Sequence, residues 1–470
     1  LCDVFSFAVA RFRNLRVVRP LVLPDTRADA TTDPSLVCRL PIAPDDPFPI
    51  QNLPFGAFAR AGEARARVGV AIGTHVLDLA ELARAGIFDA VLHDARAVFG
   101  APRLNAFLAC GRGTWRAVRE RLSALLDART AAAESETERA SFARALVPAA
   151  EVRLELPIEV GDYVDFYASR YHAEAVGRLF RPNAPPLFPN WRWMPVGYHG
   201  RASGIVVDGT PVVRPCGQRA PLGDGVPAFA PSAMLDFELE LGFVTGDGPP
   251  LGATLDIHAA REAIFGFVVL NDWSARDLQA WENQPLGPFL SKAFATSISP
   301  WIVTTDALAP FAVEPADSNH EPLRHLRDTS RSAYDIAFEV EVIASGEQRA
   351  VVTRSNSRYL FWSAAQMLTH LSSCGARVRA GDLFGTGTIS GPDEESAASL
   401  LERTARGTRS YVVGSAERTF LEDGDEVVMR ARCARDGARS IGFGSVRGRV
   451  VAAHSSASAS VPFGRNPSDS

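Results

Sequence analysis

The segment Leu235-Asp-Phe-Glu-Leu-Glu-Leu-Gly-Phe243 restricts the fold more than any other stretch of the chain. Its odd positions are apolar, while Asp236, Glu238 and Glu240 fill the even positions up to Glu240. A period of two predicts a strand, with the three carboxylates on one face and neighbours ~7 Å apart. At an effective dielectric near 20, each neighbouring pair repels by ~2 kcal/mol. Such a face must lie in water or be met by positive charge. Read alone, it is a solvated outer face of a sheet. The run Ile264-Phe-Gly-Phe-Val-Val-Leu270 has no polar side chain and predicts a strand buried on both faces. Asn271-Asp-Trp273 follows directly, which sets an acid at the end of a buried strand.

Composition narrows the class. The chain has 470 residues, 46% hydrophobic and 22% charged, which suits a globular protein with more than one domain. Its 49 basic and 54 acidic residues give a net charge of −5, so nothing electrostatic calls for nucleic acid or an anionic membrane. No apolar run approaches the ~18 residues of a membrane helix. Six cysteines lie far apart with no C-x-x-C pair, which predicts neither a disulfide framework nor a zinc site and favours the cytoplasm.

The organisation reads as follows. Residues 1–45 show no sustained period and are expected to be a dispensable extension, disordered or belonging to a misread start, since the first methionine is Met194. Residues 46–156 read as a small β-rich unit with trailing helices: Arg67-Val-Gly-Val-Ala-Ile and His75-Val-Leu-Asp flank a Gly-Thr turn, and Trp115, Val118, Leu122, Leu125 and Leu126 recur at helical spacing. Strands dominate residues 157–454, and the serine-rich residues 455–470 are expected to form a flexible tail. The fold class is therefore mainly β with some α.

Two further constellations carry chemistry. In Tyr163-Val-Asp165-Phe-Tyr167-Ala-Ser169-Arg-Tyr-His172, Asp165 and Tyr167 share a face if extended, and Ser169 can cap a helix with His172 in its first turn. That position disfavours an imidazolium and suits a neutral base; a lone histidine is also often structural. Ser274-Ala-Arg-Asp277 has capping-box form, and the helix it would start carries Arg276, Gln279 and Asn283 on one face. That face is either a pocket wall or a wet surface. No G-x-S-x-G elbow, Walker A loop or H-E-x-x-H motif occurs, and the glycines at 385, 387 and 391 miss the dinucleotide spacing. An active site would have to use carboxylates and a histidine, with or without a metal.

The chain resembles the fumarylacetoacetate hydrolase family. The resemblance rests on residues 161–172, on Pro195-Val-Gly-Tyr-His-Gly-Arg-Ala-Ser203 and on Asn271-Asp-Trp-Ser-Ala-Arg-Asp277. It rests also on Pro285-Leu-Gly-Pro-Phe-Leu290, Gly387-Thr-Ile-Ser-Gly-Pro392 and Ile441-Gly-Phe-Gly444, and it runs from about residue 48 to 451. It implies a small SH3-like N-terminal domain, a β-roll catalytic domain and a homodimer. It implies His172 as general base oriented by Glu402, and Asp165, Glu238, Glu240 and Asp272 as ligands of a divalent metal, Ca2+ or Mg2+. Lys292 and Thr296 would form a second cation site sharing Asp272. Arg276, Gln279 and Lys292 would stabilise an oxyanion, and Tyr167, Arg181, Tyr198, Gln279 and Thr388 would contact substrate, with Asn283 on the same helix face.

The implied reaction is hydrolysis of fumarylacetoacetate to fumarate and acetoacetate, the last step of tyrosine and phenylalanine catabolism. The alternatives are an acylpyruvate or related β-diketo-acid hydrolase or decarboxylase of the same superfamily, and an inactive metal-binding interaction protein. Departures from the family pattern are Asn283 in place of tyrosine, and Ser291 and Ala295 where glycines are common.

Overall fold

In the computed structural model, residues 30–130, 135–221, 225–315, 320–344, 346 and 348–454 are described. The strand Ile264–Asp272 organises them. All nine of its residues are buried, as the uninterrupted apolar run predicts. Phe267 and Val269 enter one core cluster with Phe243, Val303 and the C-terminal strands. Phe265, Val268 and Leu270 enter a second one with the N-terminal helices. Its partners are antiparallel: Leu239–Thr245 on one side, Thr296–Ile298 and Trp301–Thr304 on the other.

The sheet around it continues through Leu383–Gly385 to Tyr163–Phe166 and Gly197–His199 in one direction. In the other, Trp301–Thr304 pairs with Phe55–Arg60, which carries Arg67–Ile72, His75–Asp78 and Leu146–Pro148. The two flanks of the predicted Gly-Thr turn are thus a hairpin, with Gly73 at φ +53°. A second sheet has the order Arg349–Asn356, Ala337–Ile343, Glu426–Cys433, Ile441–Val451 and Val212–Val213. The architecture is mainly β with some α.

The N-terminal unit shares sheet and core with the rest. Phe265 is surrounded by Trp115, Phe55 and Phe107, with ring centroids at 5.0, 5.5 and 5.8 Å. Trp115 sits on the helix Gly111–Leu126, whose buried face also carries Val118, Leu122, Leu125 and Leu126. These are the positions that the helical spacing singled out.

The extension expected through residue 45 needs correction. From Ala30 onward it packs on the N-terminal unit, and Thr31 and Thr32 are buried. The buried Arg119 donates to Thr31 Oγ1 at 2.8 Å and to the carbonyls of Gln51 and Asn52 at 2.6 Å each. The guanidinium of Arg39 lies 4.2 Å over the Phe142 ring. Polar threonines give no apolar period here, and the partner of Thr31 is a buried arginine distant in sequence. Residues 1–29 and the tail expected at 455–470 lie outside the described residues. A chain starting at Asp46 should therefore melt lower than one starting at Ala30, since it removes the Thr31 acceptor from buried Arg119 Nε at a cost of about 1–3 kcal/mol. Coincident melting curves would show that residues 30–45 add nothing.

Candidate active site

The Leu235–Phe243 segment does not form one solvated strand. Leu235–Asp236 pairs with Ser274–Ala275, while Leu239–Thr245 belongs to the large sheet. Between them the Glu238 amide donates to Asn271 Oδ1 at 3.2 Å and the Leu239 amide to Ala398 O at 3.0 Å. All three acids are buried: Asp236 is 0%, Glu238 5% and Glu240 0% exposed. The face with the carboxylates turns inward, and the open-surface reading is overturned.

Glu238 and Glu240 meet Asp165 and Asp272 there. One oxygen from each of these four lies within 4.8 Å of the others. Asp165 comes from the strand Tyr163–Phe166, which runs parallel to Leu383–Gly385. Asp272 ends the central strand, its Oδ1 accepting from Thr296 Oγ1 at 2.8 Å and its Oδ2 from Tyr198 at 3.3 Å. Lys292 Nζ reaches Glu238 Oε2 at 2.5 Å and Asp272 Oδ2 at 2.8 Å. Arg276 pairs with Glu238 Oε1 at 2.7 Å.

The cluster remains short of positive charge. Burial and the Asp272 charge push Asp165 up to about 8 against the pull of Lys292. Burial and the charges of Asp165, Asp272 and Glu238 hold Glu240 well above the usual carboxylate range. Glu238 is buried too, but Lys292 and Arg276 outweigh this and hold it below that range. Asp165 Oδ1 and Glu240 Oε1 have no hydrogen-bond partner. Two orphaned buried acid oxygens in an all-oxygen donor set fit a hard divalent cation. Room there is limited: a Cβ on Gly385 would stand 2.6 Å from Glu240 Oε2 and 2.9 Å from Asp165 Oδ1.

The Lys292 ammonium lies between two of these acids. Despite burial, Asp272 and Glu238 raise its pKa above the ordinary value. An ammonium has no lone pair for a cation, so its side chain serves as counter-charge. Thr296, expected beside it, donates to Asp272.

His172 stands in the first turn of the helix Arg170–Phe180, capped by Ser169 as predicted. Its Nδ1 lies 2.7 Å from Glu402 Oε2, and both side chains are at most 5% exposed. Burial raises the Glu402 carboxyl, but the His172 charge and hydrogen bonds from His172, Ser390 and Ser399 bring it below its ordinary value. The two serine hydroxyls donate to Glu402 Oε2 at 2.8 and 2.9 Å. Sequence reasoning missed both, although Ser399-Leu-Leu-Glu402 has capping-box spacing and could have flagged one.

The other expected residues divide between wall and rim. Tyr167 packs edge-on against His172, with ring centroids 5.3 Å apart. Thr388 is buried, and its hydroxyl has no partner. Arg181 ends the His172 helix, donates to Pro186 O at 2.6 Å and lies 4.2 Å over Phe188. Gln279 accepts from Arg276 Nη1 at 3.0 Å. Asn283 is exposed and follows the helix Arg276–Glu282 as its C-cap.

The capping box expected at Ser274–Asp277 does not form: Ala275 is the N-cap. Asp277 instead accepts from Ser232 Oγ at 2.5 Å and from the Ala233 amide at 2.8 Å. Two open concavities elsewhere, of about 890 and 710 Å³, lie beside Arg103 and Glu155 and beside Arg354 and Arg430, away from this cluster.

Comparison with known proteins agrees with this geometry. Residues 163–451 match the family model described as "Fumarylacetoacetate (FAA) hydrolase C-terminal", and residues 51–157 match "Fumarylacetoacetase N-terminal". The chain belongs to the fumarylacetoacetate hydrolase family. Fumarylacetoacetase of Oryza sativa subsp. japonica is 46% identical over 416 residues, 88% of this chain and 96% of that protein. The Homo sapiens enzyme is 44% identical over 417 residues, 88% and 98% respectively. A solved fumarylacetoacetate hydrolase from Exiguobacterium antarcticum overlaps more loosely, with 20% or less identity (19%), a TM-score of 0.47, and coverage of 85% of this chain and 99% of that one.

The charge shortage has a measurable consequence. Below about pH 8 Asp165 carries a proton in the metal-free site, and Glu240 is also raised. A divalent cation must displace these protons, so its affinity should rise with pH up to about 8. Calorimetry near pH 7 in buffers of different ionisation enthalpy should register release of about one to two protons per cation bound. Binding with no proton release would contradict the assigned ligands.

Proposed function

We propose that this chain hydrolyses the carbon–carbon bond of fumarylacetoacetate, giving fumarate and acetoacetate as the last step of tyrosine and phenylalanine catabolism. The observation that carries the reading is the buried His172–Glu402 pair beside four converging carboxylates, in a chain related to fumarylacetoacetases along most of its length. Glu402 accepts from Nδ1–H and fixes the tautomer, which leaves Nε2 as the base. His172 takes a proton from water as the oxygen attacks a carbonyl of the diketo acid. Arg276 and Lys292, positive and buried, offset negative charge developing on that carbonyl oxygen, with Gln279 beside them.

Asp165, Glu238, Glu240 and Asp272 would hold Ca2+ or Mg2+, which would supply Lewis acidity and a clamp for two oxygens of a β-diketone. Breaking the carbon–carbon bond releases fumarate and leaves an enolate, and the proton that His172 took from water is returned to its carbon to complete acetoacetate. Tyr167, Arg181, Tyr198 and Thr388 would contact the substrate.

The wider reading is an SH3-like unit over residues 46–156, a β-roll over 157–454, and a cytoplasmic homodimer. Exposed Leu286, Phe289 and Leu290, 96%, 72% and 50% accessible, offer apolar surface for a second copy to cover. No described helix is long and apolar enough to cross a membrane. A shorter sister hydrolase or decarboxylase is disfavoured by the match of residues 51–157 to the fumarylacetoacetase N-terminal model. An inactive relative is disfavoured by the intact His172–Glu402 pair.

His172→Ala should lower kcat on fumarylacetoacetate by about 100-fold or more with folding retained. Unchanged kcat would mean that another group activates the water.

Asn283 lies at the exposed end of the helix that carries Arg276 and Gln279, so its contribution is to substrate affinity rather than to the chemical step. Asn283→Tyr, which restores the family's usual residue, should change KM by about two- to tenfold, the scale of one neutral hydrogen bond, and leave kcat nearly unchanged. Identical KM values on fumarylacetoacetate and on longer diketo acids would show that position 283 does not meet substrate.

A further inference from the structure

Asp236 is completely buried yet stands outside the four-carboxylate cluster. Its oxygens accept three hydrogen bonds from two parts of the site. Oδ1 takes the Leu400 amide at 2.7 Å and Oδ2 the Leu401 amide at 2.9 Å. Oδ2 also takes Arg276 Nε at 2.8 Å.

The two amides belong to the first residues of the helix Leu400–Arg403, whose third residue is Glu402. A helix start leaves its first amides without intrahelical partners. Here Asp236 takes the first two, and the N-cap Ser399 takes the amide of Glu402 at 3.4 Å. The carboxylate of Asp236 therefore sets where this short helix begins, and with it the point from which Glu402 reaches His172.

The other connection runs to Arg276. Its Nη2 pairs with Glu238 at 2.7 Å and its Nη1 donates to Gln279 at 3.0 Å, so the third edge of the guanidinium rests on Asp236. Asp236 thus stands between the arginine facing the carboxylate cluster and the helix that holds the base. The chain then runs on to Glu238 and Glu240, so one short segment ties all three parts together.

We propose that Asp236 is a positioning residue for the reaction, holding Arg276 and the Glu402–His172 pair at a fixed separation without touching substrate or cation. A carboxylate needed only to neutralise Arg276 would not have to cap the helix of Glu402. A buried ion pair is also weak as a stabilising device, because desolvation offsets most of its attraction. Catalysis is sensitive to such placement: a shift of about 1 Å in a catalytic group can cost on the order of 100-fold in rate.

The kinetic part of this inference rests on the proposed function; the spectroscopic part does not. The test uses the full chain loaded with Mg2+ or Ca2+. Asp236→Asn keeps the shape but removes the acceptor for Arg276 Nε and Leu401. It should lower kcat about 10- to 100-fold, with KM and cation affinity each within about threefold of the parent.

In the same variant the downfield proton resonance of the His172 Nδ1–H bonded to Glu402 should shift or broaden. Should this variant not fold, Asp236→Ser keeps a hydroxyl for the helix amides and nothing for Arg276, and the same readouts apply. A folded variant with kcat within about twofold of the parent, or a lower kcat with that resonance unmoved, overturns the proposal. So does activity that falls only with the folded fraction, or failure of both variants to fold. The resonance is read without substrate, so a parent protein inactive on fumarylacetoacetate would sink the proposed function and leave Asp236 to be judged by the spectrum.

Discussion

The centre of this protein is governed by an imbalance of buried charge. Five carboxylates, Asp165, Asp236, Glu238, Glu240 and Asp272, are at most 5% exposed, and two cations, Arg276 and Lys292, are buried with them. Five against two leaves an excess of three negative charges when all are ionised. Water would otherwise absorb such an excess, and a low-dielectric interior cannot. The site responds in two ways: the carboxyls of Asp165 and Glu240 are pushed above their ordinary range, and the geometry leaves oxygens converging and unpartnered where a cation fits. A divalent ion held there would remove two of the three charges, which would make it part of the folded state's electrostatics.

The scaffold makes that imbalance tolerable. The central strand is apolar on both faces through Leu270, so it is anchored in two cores before it delivers Asp272 to the cluster. Strand neighbours bring Glu240 and Asp165 from either side of Gly385, whose missing side chain leaves space for both acids. Backbone groups satisfy part of the charge: the Gly387 amide donates to Glu240 Oε2 at 3.0 Å. His172, the proposed base, is built separately on a capped helix start, and its partner Glu402 sits on another. Asp236 connects the two halves of this arrangement.

Much of this was legible in the chain where the signal is local. The apolar run at 264–270, the hairpin around Gly73 and the cap of Ser169 on the His172 helix need only neighbours in sequence. The family resemblance pointed to pairs that no local pattern could join, such as Glu402 and His172, 230 positions apart and in contact. What stayed hidden depends on distant partners. Alternation at 235–243 says that the acids share a side, yet not that the side is dry, because that is decided by Lys292, Arg276 and the helix at 400. The capping box at 274–277 was misread because Ser232 and the Ala233 amide draw Asp277 away from the helix start. Thr31 and Thr32 looked like loop residues because nothing near them announces Arg119.

The most direct test of the account is turnover of fumarylacetoacetate by purified protein, before and after complete removal of divalent cations. The account predicts that chelation abolishes turnover, and that Mg2+ or Ca2+ restores it saturably. Full turnover by protein free of divalent ions would contradict it, because the carboxylate cluster would then have no part in the reaction.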